Sequence, residues 1–206
     1  MVSDYDSRNF LDNWTKEIVV PRQIRIAGSD QEITELYELG EKIIGLTSGN
    51  LHSSLGGNFS IQRTVTNKTT ACNIDLGKVT TEQGSYIFAS YCKILDRYAP
   101  WKGKVIVNSQ LIAGRRLAPK AHPGDGRLEL IESSLSFRQA LLAHKKARLG
   151  DHLPHPDLKI KRVQNFKYDF KESKRLVIDN QFIGYHKFIK FEVLPHAITI
   201  IVDFRN

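Results

Sequence analysis

Hydrophobic positions fall in short runs along this chain, and the spacing of the runs changes near Phe59. Ahead of that point, Gln23 to Ala27 alternates as a strand and Gly28-Ser29-Asp30 makes a turn. Gln31 to Leu39 reads as a helix, with Ile33, Leu36 and Tyr37 on its inner face and acids at 32, 35 and 38 outside. Ser29 or Asp30 is placed to cap that helix, and Gly40 ends it. Lys42 to Leu46 is a second apolar strand. Thr47-Ser48-Gly49-Asn50 is a second turn, followed by a short helix through Leu55 and a Gly56-Gly57 break. Residues 1–16, anchored by Trp14, predict a surface helix or arm. Strand, glycine-bearing turn and helix thus occur twice, an α/β pattern. It puts both turns at the C-terminal ends of neighbouring parallel strands, where such sheets bind ligands. Backbone N–H groups and helix N-termini at turns of this kind can receive phosphate.

Beyond Phe59 the runs shorten and become β-rich. Strands are predicted at Ile61–Val65, Ile74–Val79, Tyr86–Tyr91, Val105–Val107, Leu128–Ile131, Leu158–Val163, Leu176–Ile178, Ile189–Val193 and Ala197–Val202. One helix interrupts them, Ser136 to Leu149, with Phe137, Ala140 and Leu141 inward and Arg138, Lys145, Lys146 and Arg148 outward. Short strands at this spacing predict an antiparallel sandwich or barrel. The expected class is α+β: a partial doubly wound α/β unit over residues 1–57, then a larger antiparallel β-sandwich over 58–196. Residues 197–206 are free to return to the first unit as a further strand.

Charge refines this picture. Residues 1–96 hold 9 Lys/Arg and 12 Asp/Glu, net −3, whereas residues 97–206 hold 21 and 10, net +11. No acid occurs between Asp96 and Asp125. The second half therefore expects an anionic partner: phosphate, lipid head groups or nucleic acid. Nucleic acid ranks low, because the interleaved aromatics of a base-stacking platform are missing. Cys72 and Cys92 sit in no CxxC or Cys/His cluster, which fits a reducing compartment. His122, His144, His152 and His155 share no metal-ligand spacing and read as surface or packing residues. No apolar run approaches membrane-spanning length. The expectation is a cytoplasmic protein able to touch a membrane surface.

The stretch from Val105 to Leu130 holds the most distinctive chemistry. A buried-type strand leads through Arg115-Arg116, Pro119 and Pro123 to Gly124-Asp125-Gly126, then to the alternating Arg127-Leu128-Glu129-Leu130. Asp-Gly alone commonly marks a hairpin turn. An Asp between two glycines can equally present its carboxylate outward from a free backbone.

Seven segments in order resemble the diacylglycerol kinase-like lipid kinase family, which includes bacterial soluble lipid kinases. Gly28-Ser29-Asp30-Gln31-Glu32 stands where that family has GGDGT, and Thr47-Ser48-Gly49-Asn50 where it has GTGN. Ile74-Asp75-Leu76-Gly77 resembles its IDxG strand. Ala118-Pro119-Lys120-Ala121 with Gly124-Asp125-Gly126-Arg127-Leu128 resembles its aP-A-x-x-x-DGxL segment. Gly150-Asp151-His152 matches a G-x-H. Ile178-Asp179-Asn180-Gln181 lies at its DGE turn, and Leu194-Pro195-His196-Ala197 at the closing strand.

The resemblance implies transfer of the ATP γ-phosphoryl group to a diacylglycerol-type lipid hydroxyl, a transferase role in phospholipid metabolism. Asp125 would be the general base. Gly28, Asp30, Thr47, Gly49 and Asn50 would line the nucleotide site, with Asp30 acting through Mg²⁺. Arg115, Arg116 and Lys120 would meet phosphate or lipid head groups. Three departures support the alternative of an inactive relative, a pseudoenzyme that binds nucleotide, lipid or a partner. Glycines are replaced in both phosphate turns, Gln31 brings a side chain where the family has none, and Gln181 replaces the DGE carboxylate. The first strand–helix units of the family's nucleotide domain also have no counterpart here. The sheet edge this leaves favours a homodimer or a partner subunit.

Overall fold

The computed structural model describes residues 14–21, 23–56 and 68–202. The predicted strand Ile61–Val65 and most of the predicted N-terminal arm lie outside the described residues. The strands are β1 Thr15–Val19, β2 Arg25–Ala27, β3 Ile43–Leu46, β4 Lys68–Thr81, β5 Ser85–Phe88, β6 Tyr91–Leu95 and β7 Gly103–Val107. They continue with β8 Leu111–Ile112, β9 Arg115–Arg116, β10 Leu128–Ser133, β11 Leu158–Val163, β12 Asn165–Ile178 and β13 Gln181–Ile201. The helices are α1 Asp30–Glu38, α2 Asn50–Ser54 and α3 Phe137–Lys146.

Apart from the β8–β9 hairpin, all described strands join one sheet, whose main path is β1-β4-β13-β12-β6-β7-β10-β11, with β5 on β4, β3 on β13 and β2 on β3. Its ladders are antiparallel except where β3 pairs with β13 and β2 pairs with β3. Side chains from β4, β5, β6, β7, β10, β12 and β13 meet in one core around Val79, Phe88, Ile106, Leu130, Leu176 and Phe191. Strands far apart in the sheet order share that core, so the sheet folds over on itself. A second core, around Ile33, Ile44, Leu51, Ile74 and Ile200, holds α1 and α2 against the parallel strands. None of the described helices is long and apolar enough to cross a membrane.

β13 is the hinge of the architecture. It runs antiparallel to β4 over most of its length, and its last residues, Thr199 to Ile201, lie parallel to β3. Two predicted strands are therefore one, interrupted by a bulge between Leu194 and Ile198. Pro195 has no N–H for the ladder, and His196 takes a left-handed backbone, φ 47°.

Other expectations need correction. Thr15 and Lys16 are not in a surface helix but open β1, which pairs with β4. The predicted strand Tyr86–Tyr91 breaks after Phe88, because the N–H groups of Ala89, Ser90 and Tyr91 all turn toward Asp179. Phe137, Ala140 and Leu141 turn inward, with Phe137 edge-on to Trp101, but α3 does not seal onto the core: Phe137 and Leu141 are 60% and 63% exposed, and no residue of α3 is buried.

The glycine of the IDLG strand has a steric reason. Gly77 pairs across from Phe88, and a Cβ there would lie 2.0 Å from the ring.

Candidate functional site

The two turns after β2 and β3 are joined by one carboxylate. Ser29 caps α1 by accepting from the Glu32 N–H, as Ser at that position favours. That leaves the Asp30 side chain for the neighbouring turn. Its Oδ2 accepts from the Asn50 backbone N–H at 2.9 Å and from Asn50 Nδ2 at 2.7 Å, and its Oδ1 accepts from the Leu51 N–H at 3.0 Å. Asp30 thus caps α2, the other helix, and supplies the carboxylate that the N-terminus of α2 attracts. Gly49 is needed here: its φ is 109°, and a Cβ would sit 2.6 Å from Asp30 Oδ1. Thr47 Oγ1 donates to the Ala27 carbonyl, tying β3 to β2.

At the first turn the Glu32 carboxylate folds back. Gly28 donates its N–H to Glu32 Oε2 at 2.9 Å, and Ser29 Oγ donates to Oε1 at 3.3 Å. An anion already faces the backbone N–H that a phosphate would take. Gln31, which was expected to crowd this spot, instead donates to Glu35 along α1.

The Gly124-Asp125-Gly126 segment is not a tight hairpin. It closes a long excursion from β7 to β10 and is clamped from several sides. Asp75, fully buried on β4, accepts from Gly126 N–H at 2.7 Å through Oδ2 and from His196 N–H at 2.8 Å through Oδ1. The β13 bulge is what frees that His196 N–H. Asp75 also donates its own N–H to the Pro123 carbonyl. Trp14 packs on the loop so closely that a Cβ at Gly124 would lie 2.2 Å from its ring. Burial pushes the Asp75 carboxyl up to about 6, against the two N–H groups and with the charge of Asp125 adding to the rise.

Asp125 is 6% exposed. Its Oδ1 accepts from Arg127 N–H, and Arg162 Nη1 stands 3.8 Å from its Oδ2. Burial raises its carboxyl above the ordinary range, with Arg162 opposing. Arg162 is held in place by Glu129 and by the Lys120 carbonyl. It forms the cationic end of a cleft of about 600 Å³ whose other walls include Pro119, Leu153, Pro154, Leu158 and Ile160. The cleft is largely apolar and charged where Lys120, Glu129 and Arg162 line it, and Arg162 joins that end to Asp125.

A buried polar seam runs from this loop to Asp179. Asp179, with a left-handed backbone, accepts from Ala89, Ser90 and Tyr91 N–H, and burial and the charge of Asp30 push its carboxyl up to about 7. Ser90 accepts from Asn108 N–H through its carbonyl, and Asn108 Nδ2 donates to the carbonyls of Asp75 and Ala89. Asp179, Asn108 and Asp75 therefore lie along one chain of hydrogen bonds that reaches the Asp125 loop at Gly126. Asn108 and Ser90 were not among the residues singled out from sequence, and nothing in their immediate neighbours signals the role.

The predicted basic residues divide. Arg115 is tied to the His144 and Ala113 carbonyls, and the Ala113 N–H donates to Asn50 Oδ1, so the hairpin tip touches the second turn. Arg116 and Lys120 are exposed. His122 Nδ1 accepts from Gly124 N–H within the loop, and His152 Nε2 lies 3.2 Å from the Leu117 carbonyl. Among the described residues no group of three His, Cys, Asp or Glu side chains could hold a metal ion. Asp30 does not fit a resident Mg²⁺, because both of its oxygens are engaged by the N-terminus of α2.

The fold is that of lipid kinases of the diacylglycerol kinase type. "A putative diacylglycerol kinase from Bacillus anthracis str. Sterne" is similar with TM-score 0.61 and 10% identity, over 86% of this chain and 77% of that one. A second crystal structure under the same description gives 0.61 and 11%, over 87% and 77%. "The crystal structure of a diacylglycerol kinases from Bacillus anthracis str. Sterne" gives 0.53 and 14%, over 78% and 67%. No protein-family model matches the chain, and no curated protein matches it.

Proposed function

We propose that the chain is a lipid kinase-like protein that transfers the γ-phosphoryl group of ATP to the hydroxyl of a diacylglycerol-type lipid. The observation that carries this reading is Asp125: a buried carboxylate, raised above its ordinary range by burial, on a clamped loop that Arg162 joins to the charged end of a largely apolar cleft. A base works best when its pKa approaches the working pH, and burial moves Asp125 that way. The lipid hydroxyl oxygen would attack the γ-phosphorus, its proton passing to Asp125, while the bond to the β-phosphate oxygen breaks and ADP leaves. The acyl chains would lie along Leu153, Pro154, Leu158 and Ile160. Arg162 and Lys120 would face the negative charge near the transferred group. The nucleotide would lie at Gly28, Thr47, Gly49 and Asn50. Asp30 supports that site by holding the two turns together. No step is assigned to a bound magnesium ion.

Glu32 on Gly28 N–H and the full engagement of Asp30 favour a second reading, a non-catalytic relative that keeps the fold for binding lipid or a partner. Purified protein incubated with labelled ATP, Mg²⁺ and mixed lipids, beside Asp125→Asn, separates the two. Labelled lipid that disappears in the variant supports the kinase. No product above background in either protein supports the non-catalytic relative.

A further inference from the structure

α3 lies over a cavity of about 360 Å³ lined by apolar side chains including Trp101, Val105, Leu117, Ile131 and Leu158. Phe137, Ala140 and Leu141 line it from the helix side, with Phe137 edge-on to Trp101, but they do not close it. Phe137, Leu141 and Leu142 are 60%, 63% and 56% exposed, and Leu149 just beyond the helix is 77% exposed. Between Ser133 and Gly150 there is no Asp or Glu, while Arg138, Lys145, Lys146 and Arg148 are all exposed. None of these four cations forms an ion pair with a described residue. The positive field extends to the hairpin, because the charges of Arg115, Arg148 and Lys93 join burial in depressing the basicity of His144. Exposed leucines grouped on one helix ordinarily mark an interaction surface. Asp151 and Asp157 lie at the ends of this segment, Asp157 accepting from Gln139, and the four cations outnumber them. Leucines among surplus cations match one surface in particular, a bilayer with anionic head groups, which takes apolar side chains into its boundary and neutralises the cations.

We propose that the exposed face of α3, with Leu149, docks the protein on an anionic lipid bilayer. This rests on the reading of the site as lipid-directed, and it names the surface by which that site reaches its substrate. Leu142 and Leu149 enter the head-group boundary, and Arg138, Lys145, Lys146 and Arg148 lie at the phosphate level. The hairpin carrying Arg115 is fastened to the same helix through the His144 carbonyl, and Arg116 N–H donates to the Ala147 carbonyl. Docking therefore sets the orientation of the β8–β9 segment that leads into the Asp125 loop.

The test is co-sedimentation of the full chain with phosphatidylcholine vesicles containing none or one third phosphatidylglycerol. Binding is expected only to the anionic vesicles and is expected to weaken with salt. Lys145→Gln/Lys146→Gln is expected to weaken it about 25-fold, at about fivefold for each charge removed near the surface. Leu142→Asp/Leu149→Asp is expected to abolish it. All substituted side chains are exposed, so circular dichroism and unfolding midpoints should match the parent. Equal binding to both vesicle types, binding unchanged in both variants, or no binding at all overturns the proposal. So does a concentration-dependent dimer in light scattering that the leucine variant dissolves, since a second copy would then cover this face. Phosphorylation of a short-chain, water-dispersed diacylglycerol reads the catalytic proposal separately. It should persist in the docking variants, and its absence from the parent counts against the kinase without touching the docking result.

Discussion

Replacing Asp30 by alanine separates a structural role from a nucleotide-binding one, because the structural role acts with no ligand present. The side chain is 6% exposed and receives three hydrogen bonds, from Asn50 N–H, Asn50 Nδ2 and Leu51 N–H. A hydrogen bond to a charged group contributes about 1.5–3 kcal/mol, and loss of a helix cap costs about 0.5–2 kcal/mol. The three bonds share one acceptor, and water can reach half-buried Asn50, so their losses do not add fully. Leu51 is buried, and its N–H is left without that partner. The sum is about 3–4 kcal/mol. For a chain of 206 residues, that lowers the unfolding midpoint by about 6–16 °C. Asp30→Asn should fall between, since its amide oxygen still accepts but its NH₂ faces donors. The measurement is thermal and urea unfolding of the nucleotide-free proteins. A fall of under about 2 °C for Asp30→Ala would refute the capping role and return Asp30 to the nucleotide.

Two further outcomes follow from packing and from burial. Gly77→Ala places a Cβ inside the Phe88 ring and should cost about 1–3 kcal/mol in urea unfolding, with Phe88→Leu relieving most of it in the double variant. Burial raises Asp75 to about 6 and Asp179 to about 7 from an ordinary 3.8, so the folded state holds more protons than the unfolded state between about pH 4 and 7. Their contribution is greatest at the low end of that window and is lost as pH rises through 6 to 7. Asp179→Asn should therefore flatten the decline in urea midpoint between pH 5 and 8. An unchanged slope would show that the carboxyl is ionised throughout.

Many strand positions were legible because apolar residues cluster in runs the length of a strand, as in β3 and β7, or alternate with polar ones, as in β10. The misreadings have physical causes. The spacing of Phe137 and Leu141 suits a core-facing stripe, but period alone does not say whether a helix packs down on the sheet or stands over a cavity. The first half of β12 was missed although Phe166, Tyr168 and Phe170 alternate with polar residues, a signal that was present. Ala89 and Ser90 looked like strand because a strand break caused by a carboxylate 90 positions away leaves no local mark. The site divides in the same way. The colinear segments marked Asp30, Asp75, Asp125 and Asp179, but not that Asp30 caps α2 or that Asp75 grips Gly126 and His196. Those contacts span 20 to 121 positions, and a single sequence carries nothing about them.

The substitutions in the first turn argue less strongly against nucleotide binding than they first suggest. Ser29 and Glu32 together hold the start of α1, so the substitutions here serve a satisfied helix start rather than an obstructed one. Glu32 is exposed, and its bonds to Gly28 N–H and Ser29 Oγ contribute no more than about 0.5–1 kcal/mol net. A phosphate competing for the Gly28 N–H would have to displace that carboxylate and would lose about two- to fivefold in affinity, not its whole binding. Glu32→Ala should then tighten an ATP analogue by about that factor in calorimetry, with a steeper salt dependence than the parent shows. If the parent binds no analogue and Glu32→Ala binds none either, Glu32 is not the obstacle. The engagement of Asp30 at α2 then becomes the feature that separates this chain from an active kinase.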